Sequence, residues 1–206
     1  AKTKMIALNL GANDFLTKPV DISELVARVR NTLSGKAYRD RLSKYSSQLE
    51  SDILRDELTQ VANRRAFDYE LNRRMIEWSR QRVPLGLLLV DIDYFKRVND
   101  QYGHQVGDDV LREIAQEISK SIRDMDLVAR YGGEEFGIIL PCTRPNEVII
   151  TAERIREAIE SRNLKYQGKE VKVTVSVGGS NALAGDETST LVRRTDMALY
   201  TSKQHG

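Results

Sequence analysis

The sequence predicts an α+β chain, in which a ferredoxin-like domain with a central mixed sheet flanked by helices follows a long helical linker. Two observations carry that prediction. From Lys36 to Asp56 there is neither Pro nor Gly, and Tyr38, Leu42, Tyr45, Leu49 and Ile53 recur at spacings of four, three, four and four, the period of one helix face. Beyond Asp56 the apolar pattern reads strand, helix, strand, strand, helix, strand, helix, which is the split βαβ arrangement with one appended helix. At 206 residues the chain can bury a core without disulfide or metal staples.

The elements follow in order. A short helical piece ends at Gly11, Asp14 to Thr17 is extended, and Lys18-Pro19 interrupts helix because Pro disfavours helical backbone in the residue before it. Asp21 and Glu24 form a capping-box-like start for a helix carrying Leu25, Val26, Val29 and Leu33. The stripe from Tyr38 to Ile53 has two readings, a helix packed on its own domain or a seam that pairs with a second copy, and we favour the seam.

Leu85 to Val90 reads as a buried strand, and Val110, Leu111, Ile114, Ala115, Ile118 and Ile122 mark a helix. Leu127 to Arg130 and Phe136 to Leu140 flank Tyr131-Gly132-Gly133-Glu134-Glu135 as a hairpin. A helix from Glu147 to about Arg162, an alternating strand from Val171 to Val177 and a helix from about Thr190 to Lys203 complete the order. A right-handed first crossover lets the third strand insert between the first two. Asp91 then faces Glu134 and Glu135.

Composition excludes several classes of function. With 32 Lys and Arg against 30 Asp and Glu, the formal charge of +2 argues against DNA binding by bulk charge. The single Cys142 cannot form an internal bridge, so a reducing, cytoplasmic setting is expected. The longest strongly apolar run, Leu85 to Val90, is far short of the roughly 20 residues that cross a bilayer, so no membrane insertion is expected.

Chemistry concentrates at the strand end and the hairpin. Asp91-Ile92-Asp93 places two carboxylates on one side of a strand end, and Glu134 and Glu135 add oxygen donors. An oxygen-only set suits a hard ion such as Mg²⁺ shared with substrate phosphates. Gly132 and Gly133 permit φ > 0 and close approach of a nucleotide to the backbone. Taken alone, Asp108 reads equally well as a base acceptor or as a helix N-cap ahead of Val110.

These segments lie among others in a fixed order: Asp56-Glu57-Leu58-Thr59 with Asn63-Arg64-Arg65, Asp91-Ile92-Asp93-Tyr94-Phe95-Lys96 with Asn99-Asp100, Tyr102-Gly103-His104 with Gly107-Asp108, Arg130 to Phe136, Val175 to Gly178, and Asp196 to Tyr200 with Lys203. From Asp56 to Gly206 the chain resembles the GGDEF family, the diguanylate cyclases, of nucleotide-cyclase-type fold. The resemblance implies condensation of two GTP to cyclic di-GMP and two pyrophosphates by a homodimer. It implies that Asp91, the Ile92 carbonyl and Glu134 hold Mg²⁺, with Mn²⁺ as a substitute, and that Glu135 stands beside a second ion or the ribose 3′-hydroxyl. Lys96 and Lys203 match phosphate-contacting lysines, Asn99 and Asp108 the guanine-reading pair, and Phe95, Gly132 and Gly133 lie in substrate-binding segments. His104 is read as structural.

Arg123-Asp124-Met125-Asp126 resembles the family's RxxD motif, which implies inhibition by cyclic di-GMP, and Arg154 resembles an arginine that a second protomer adds to that site. Residues 1–35, from Gly11-Ala12-Asn13-Asp14 through Lys18-Pro19 to Glu24-Leu25, resemble the last third of a response-regulator receiver, with Lys18 as its phosphoryl-contacting lysine. A histidine kinase acting through a full receiver is the implied upstream partner. The part carrying the phosphorylated Asp is absent from this sequence, so a fragment of a longer protein is expected. The expected organisation is therefore 1–35 receiver, 36–55 linker and 56–206 cyclase domain.

Two departures from the family stand out. Gln60-Val61 replaces its usual Gly-Leu, predicting a shifted entrance loop, and the chain stops at Gly206 where the family generally continues with an Arg and a closing strand. The rival readings are a catalytically silent GTP or cyclic di-GMP binding module that acts through dimerisation, and an assembly protein built on the linker helix.

Overall fold

The computed structural model describes residues 18–162, 164–166 and 169–205, and the chain divides into two units, Ala1–Ile53 and Leu54–Gly206. The receiver-like segment up to Thr17 lies outside the described residues. α1 (Ile22–Leu54) is one helix, joining what the sequence reads as two. It starts at Asp21, whose carboxylate accepts from the Ser23 N–H at 2.7 Å. Ile22, Leu25, Val26, Val29 and Leu33 form an exposed apolar stripe. Of the expected seam, Tyr38 and Ile53 are exposed, while the side chains of Leu42, Tyr45 and Leu49 lie outside the described residues.

The second unit contains β1 (Ala62–Asn63), α2 (Arg64–Gln81), β2 (Leu85–Ile92), α3 (Phe95–Tyr102), α4 (His104–Lys120), β3 (Leu127–Arg130), β4 (Glu135–Pro141), α5 (Pro145–Glu160), β5 (Leu164–Tyr166), β6 (Lys169–Val171), β7 (Val175–Asn181) and α6 (Thr188–His205). The main sheet has the order β1-β3-β4-β2-β7. β4 therefore lies between β3 and β2, the insertion expected from a right-handed crossover, and only β1, beside β3, pairs in parallel.

Every residue of β2 is buried, because helices cover both faces of the sheet. Leu88, Val90, Ile138 and Leu140 pack with Val110 and Ile114 of α4 and Ile155 of α5. On the opposite face, Leu87 and Ile139 pack with Phe67 and Leu71 of α2 and Leu191 of α6.

Four expectations need correction. α2 went unpredicted, although Phe67, Leu71, Met75 and Trp78 are its buried stripe and Asn63 caps it by accepting from the Ala66 N–H at 3.0 Å. The alternating segment from Val171 divides, with Val171 ending the β5–β6 hairpin and β7 beginning at Val175. Its alternation was real, since Val171, Val173 and Val175 are all buried. The helix marked by Val110 begins at His104, so Asp108 sits within α4 and is no N-cap. Finally, Gln60 adopts φ 61°, the backbone that glycine favours, and its side-chain amide donates to the Glu57 carbonyl at 2.8 Å. Gln thus takes the glycine-type turn.

Among the described residues no helix is long and apolar enough to cross a membrane. Cys142 is a free, exposed thiol.

Candidate functional site

The antiparallel registers place Asp91 opposite Glu135 on β4 and opposite Ser176 on β7. Asp91 is 7% exposed, and the Lys203 ammonium from the last turn of α6 lies 2.7 Å from its Oδ2. Glu134 stands in the same field. Burial pushes its carboxyl above the ordinary range, the Asp91 charge pushes it further, Lys203 opposes and Glu135 adds. The Ile92 N–H donates to the Glu134 backbone carbonyl at 3.3 Å, fixing the turn against the end of β2. Asp93 turns toward the neighbouring strand and accepts from the Thr174 hydroxyl at 2.7 Å and the Ser176 hydroxyl at 2.8 Å. It is a structural anchor beside the acid pair.

The glycines of the turn act through space, because φ > 0 is found among the described glycines only at Gly103 and Gly185. A Cβ on Gly132 would lie 2.5 Å from Glu135 Oε2, whereas one on Gly133 would meet nothing within 4 Å. Tyr131 and Gly132 both donate their N–H to the Glu135 carbonyl, at 2.8 and 3.2 Å. The turn is clasped from outside as well. Arg130 donates to the Gly133 carbonyl at 2.7 and 3.1 Å and reaches Asp56 at 3.3 Å, while the Arg64 guanidinium lies 4.2 Å from the centroid of the Tyr131 ring. Sequence reasoning gave neither arginine a role, although both stand in the segments quoted above.

The remaining substrate candidates gather around α3 and the start of α4. Tyr94 at φ 54° reverses the chain after β2, with the Arg97 guanidinium over its ring. Phe95 is buried, Asn99 is half-buried, and Lys96 and Asp108 are exposed. A Cβ on Gly107 would sit 1.9 Å from Asn99 Oδ1 and 3.3 Å from Phe95, so these three residues form one contact, with Asp108 next in the chain. His104 is exposed at the first position of α4. It has no packed surroundings to match a structural reading.

Among the described residues no group of three or more His, Cys, Asp or Glu is arranged to hold a metal. The expected donor set asks less, with two carboxylates and one carbonyl. Its fit rests on chemistry present in the chain, since a Glu134 carboxyl raised by burial and then by the Asp91 charge, beside an Asp91 that already draws a cation, makes an oxygen-only set that favours a hard cation.

Arg123, Asp126 and Arg154 form a second cluster. The Asp126 carboxylate accepts from the Arg123 N–H at 2.9 Å, and the Arg123 guanidinium reaches Glu147 at 3.8 Å, so the side chains of Arg123 and Asp126 are not the simple ion pair that their spacing suggests. Arg154 donates to the Ser121 carbonyl at 2.8 Å. Burial raises the Asp126 carboxyl above its ordinary value, although the Arg123 N–H and the charges of Arg123 and Arg154 pull it down. Asp126 Oδ1 is buried without a partner.

The family described as diguanylate cyclase, GGDEF domain, matches residues 53–206. The chain belongs to the GGDEF domain family. The response regulator PleD of Caulobacter vibrioides is 38% identical over 203 residues, covering 97% of this chain and 45% of PleD, so the chain spans about half the length of that curated relative. Among solved structures, the coiled coil and GGDEF domain of DgcB from Caulobacter crescentus in complex with c-di-GMP is 37% identical, with a TM-score of 0.80, covering 88% of this chain and 95% of that one. The active GGEEF domain of a diguanylate cyclase from Vibrio cholerae is 34% identical, with a TM-score of 0.67, over 71% of this chain and 94% of that one. The GGDEF domain here carries the same Gly-Gly-Glu-Glu-Phe run, from Gly132 to Phe136.

Proposed function

We propose that the chain is the cyclase part of a two-component-type signalling protein and condenses two GTP to cyclic di-GMP and two pyrophosphates. The observation that carries this reading is the meeting of Glu134 and Glu135 with Asp91 and Lys203 at the end of β2. In each of two equivalent steps the 3′-oxygen of one GTP attacks the α-phosphorus of the other and pyrophosphate leaves in line. Two copies of the chain present one GTP each, because one site holds one nucleotide and each nucleotide is both nucleophile and electrophile.

Asp91, the Ile92 carbonyl and Glu134 hold Mg²⁺, or Mn²⁺ in its place. When bound, the ion lowers the pKa of the attacking hydroxyl and neutralises charge on the phosphates. Glu135, opposite Asp91 across the strands, would stand beside a second ion or the ribose 3′-hydroxyl. Lys96 and Lys203 neutralise the β and γ phosphates, with Phe95 supporting the floor on which they lie and Gly132 and Gly133 giving the backbone close approach. Asp108 accepts from guanine N1–H and N2–H₂, and the Asn99 amide serves O6 or N3. Adenine lacks those donors.

Arg123 and Asp126, with Arg154, bind the product and restrain the enzyme. A guanidinium forks onto phosphate or the Hoogsteen edge of guanine, and the unpartnered Asp126 Oδ1 is an acceptor suited to a base N–H. The exposure of Tyr38 and Ile53 on α1 supports a homodimer seam over residues 36–55, as does the coiled coil named for the DgcB structure. The likeness to PleD, a response regulator matched over 97% of this chain, supports residues 1–35 as the end of a receiver, 36–55 as linker and 56–206 as the cyclase domain; a histidine kinase upstream and a cytoplasmic location belong to the same proposal.

Glu134→Gln tests the site. The variant is expected to keep its circular dichroism spectrum and lose at least about a hundredfold in cyclic di-GMP formation, the loss typical of an electrostatic group acting on the transition state. A rate equal to that of the unmodified protein would move the metal site elsewhere.

A further inference from the structure

Lys203 has two claims on it. The proposed function gives its ammonium to the phosphates, yet the structure holds it 2.7 Å from Asp91 Oδ2, on the carboxylate assigned to the metal. The two partners differ in freedom. Asp91 belongs to a strand paired on both sides and only 11% of its side chain is exposed, whereas Lys203 is 41% exposed at the end of α6 on a flexible four-carbon stem. The carboxylate stays and the ammonium can leave.

A buried carboxylate without a counter-charge is costly, so a cation beside Asp91 is favoured in each state of the protein. An ammonium and a divalent ion seek the same oxygen lone pairs, and their mutual repulsion prevents both from taking them together. Lys96, the other lysine near the site, is exposed on α3. We infer that Lys203 is an exchangeable counter-ion of Asp91, which competes with the divalent metal for that carboxylate and yields it when nucleotide phosphates draw the ammonium away. The inference deepens the cyclase reading and rests on it for the identities of metal and nucleotide. Its consequence is coupled binding: phosphates remove the metal's competitor, so nucleotide tightens metal and metal tightens nucleotide by the same factor. Free metal at a site lacking GTP is disfavoured.

The probe is Mn²⁺ alone, titrated at fixed pH and ionic strength into the full nucleotide-free chain, with free ion read by electron paramagnetic resonance. Lys203→Met and Lys203→Gln, which keep the length of the stem, are expected to bind Mn²⁺ about tenfold tighter than the unmodified protein, the equivalent of one partly screened ion pair. Lys203→Arg keeps the charge and is expected to stay near the unmodified affinity. Adding Asp91→Asn to Lys203→Met should erase the gain. No gain in either neutral variant overturns the inference, and so does a gain that survives Asp91→Asn. Cyclic di-GMP formation by the unmodified chain is scored separately. Absence of product alongside the gain would sink the cyclase reading and leave the exchange standing, whereas product without the gain would do the reverse.

Discussion

Asn99 owes its position to an absence. The missing Cβ of Gly107 is the space that Asn99 Oδ1 occupies, 1.9 Å from where that carbon would be. Gly107→Ala must turn the amide away and shift the Phe95 ring by a few tenths of an ångström, since the added carbon would lie 3.3 Å from it. The expected outcome is a KM for GTP raised about tenfold, the worth of one hydrogen bond, with kcat and the thermal midpoint nearly unchanged. Steady-state kinetics read both. Most of the candidate site was legible at this scale, because Asp91, Glu134 and Glu135 are chemically conspicuous at a strand end and a Gly-Gly turn. Neither Gly132 nor Gly133 uses the φ > 0 expected of it. Flexibility can be inferred from a residue name, but the room a neighbour needs is visible only once Glu135 is seen folded over Gly132.

Among the elements, α6 carries Lys203 to Asp91, and it lies so close to β7 that a Cβ on Gly178 would stand 2.1 Å from the Leu199 backbone nitrogen. Gly178→Ala forces backbone from backbone and should cost about 3 kcal/mol in a urea titration, the upper range for overpacking. The entrance loop is tied in another way. Burial raises the Asp56 carboxyl, but the Thr59 hydroxyl and N–H and the Arg130 guanidinium outweigh it, so its pKa falls below the ordinary 3.8. That carboxylate's contribution to stability is complete above its unfolded pKa and is lost as pH falls through the lower folded value. Asp56→Asn is therefore expected to flatten the acid limb of the stability curve, and an unaltered limb would remove the clasp from the account. Strands with continuous apolar runs were readable in sequence. The division between β6 and β7 was not, because one alternating valine series continues while the chain changes sheets.

At the scale of the whole molecule, the proposed synthesis and the proposed restraint occupy two separate places. Asp91 lies at the end of β2 and Glu135 opens β4, while Arg123 and Asp126 lie in the loop before β3 and Arg154 on α5. β3 leads from that loop directly into the clasped turn, so one strand connects the proposed product site with the proposed metal ligands. Arg123→Ala with Asp126→Ala is expected to keep turnover and weaken cyclic di-GMP inhibition about a hundredfold, as for two charge-assisted contacts. Unchanged inhibition would remove that assignment. The order of the strands in the sheet could be foreseen because handedness allows one place for the third strand; the cover of α2 on the second face was equally legible in the helical spacing of Phe67, Leu71, Met75 and Trp78, and was missed.

The most direct measurement incubates the purified chain, stripped of nucleotide, with GTP and Mg²⁺ and separates the products by chromatography, beside an Asp91→Ala control of equal fold. Cyclic di-GMP and pyrophosphate in a ratio of one to two, absent from the control, is the expected result. Folded protein that binds GTP and forms neither, or a control that forms both, would contradict it.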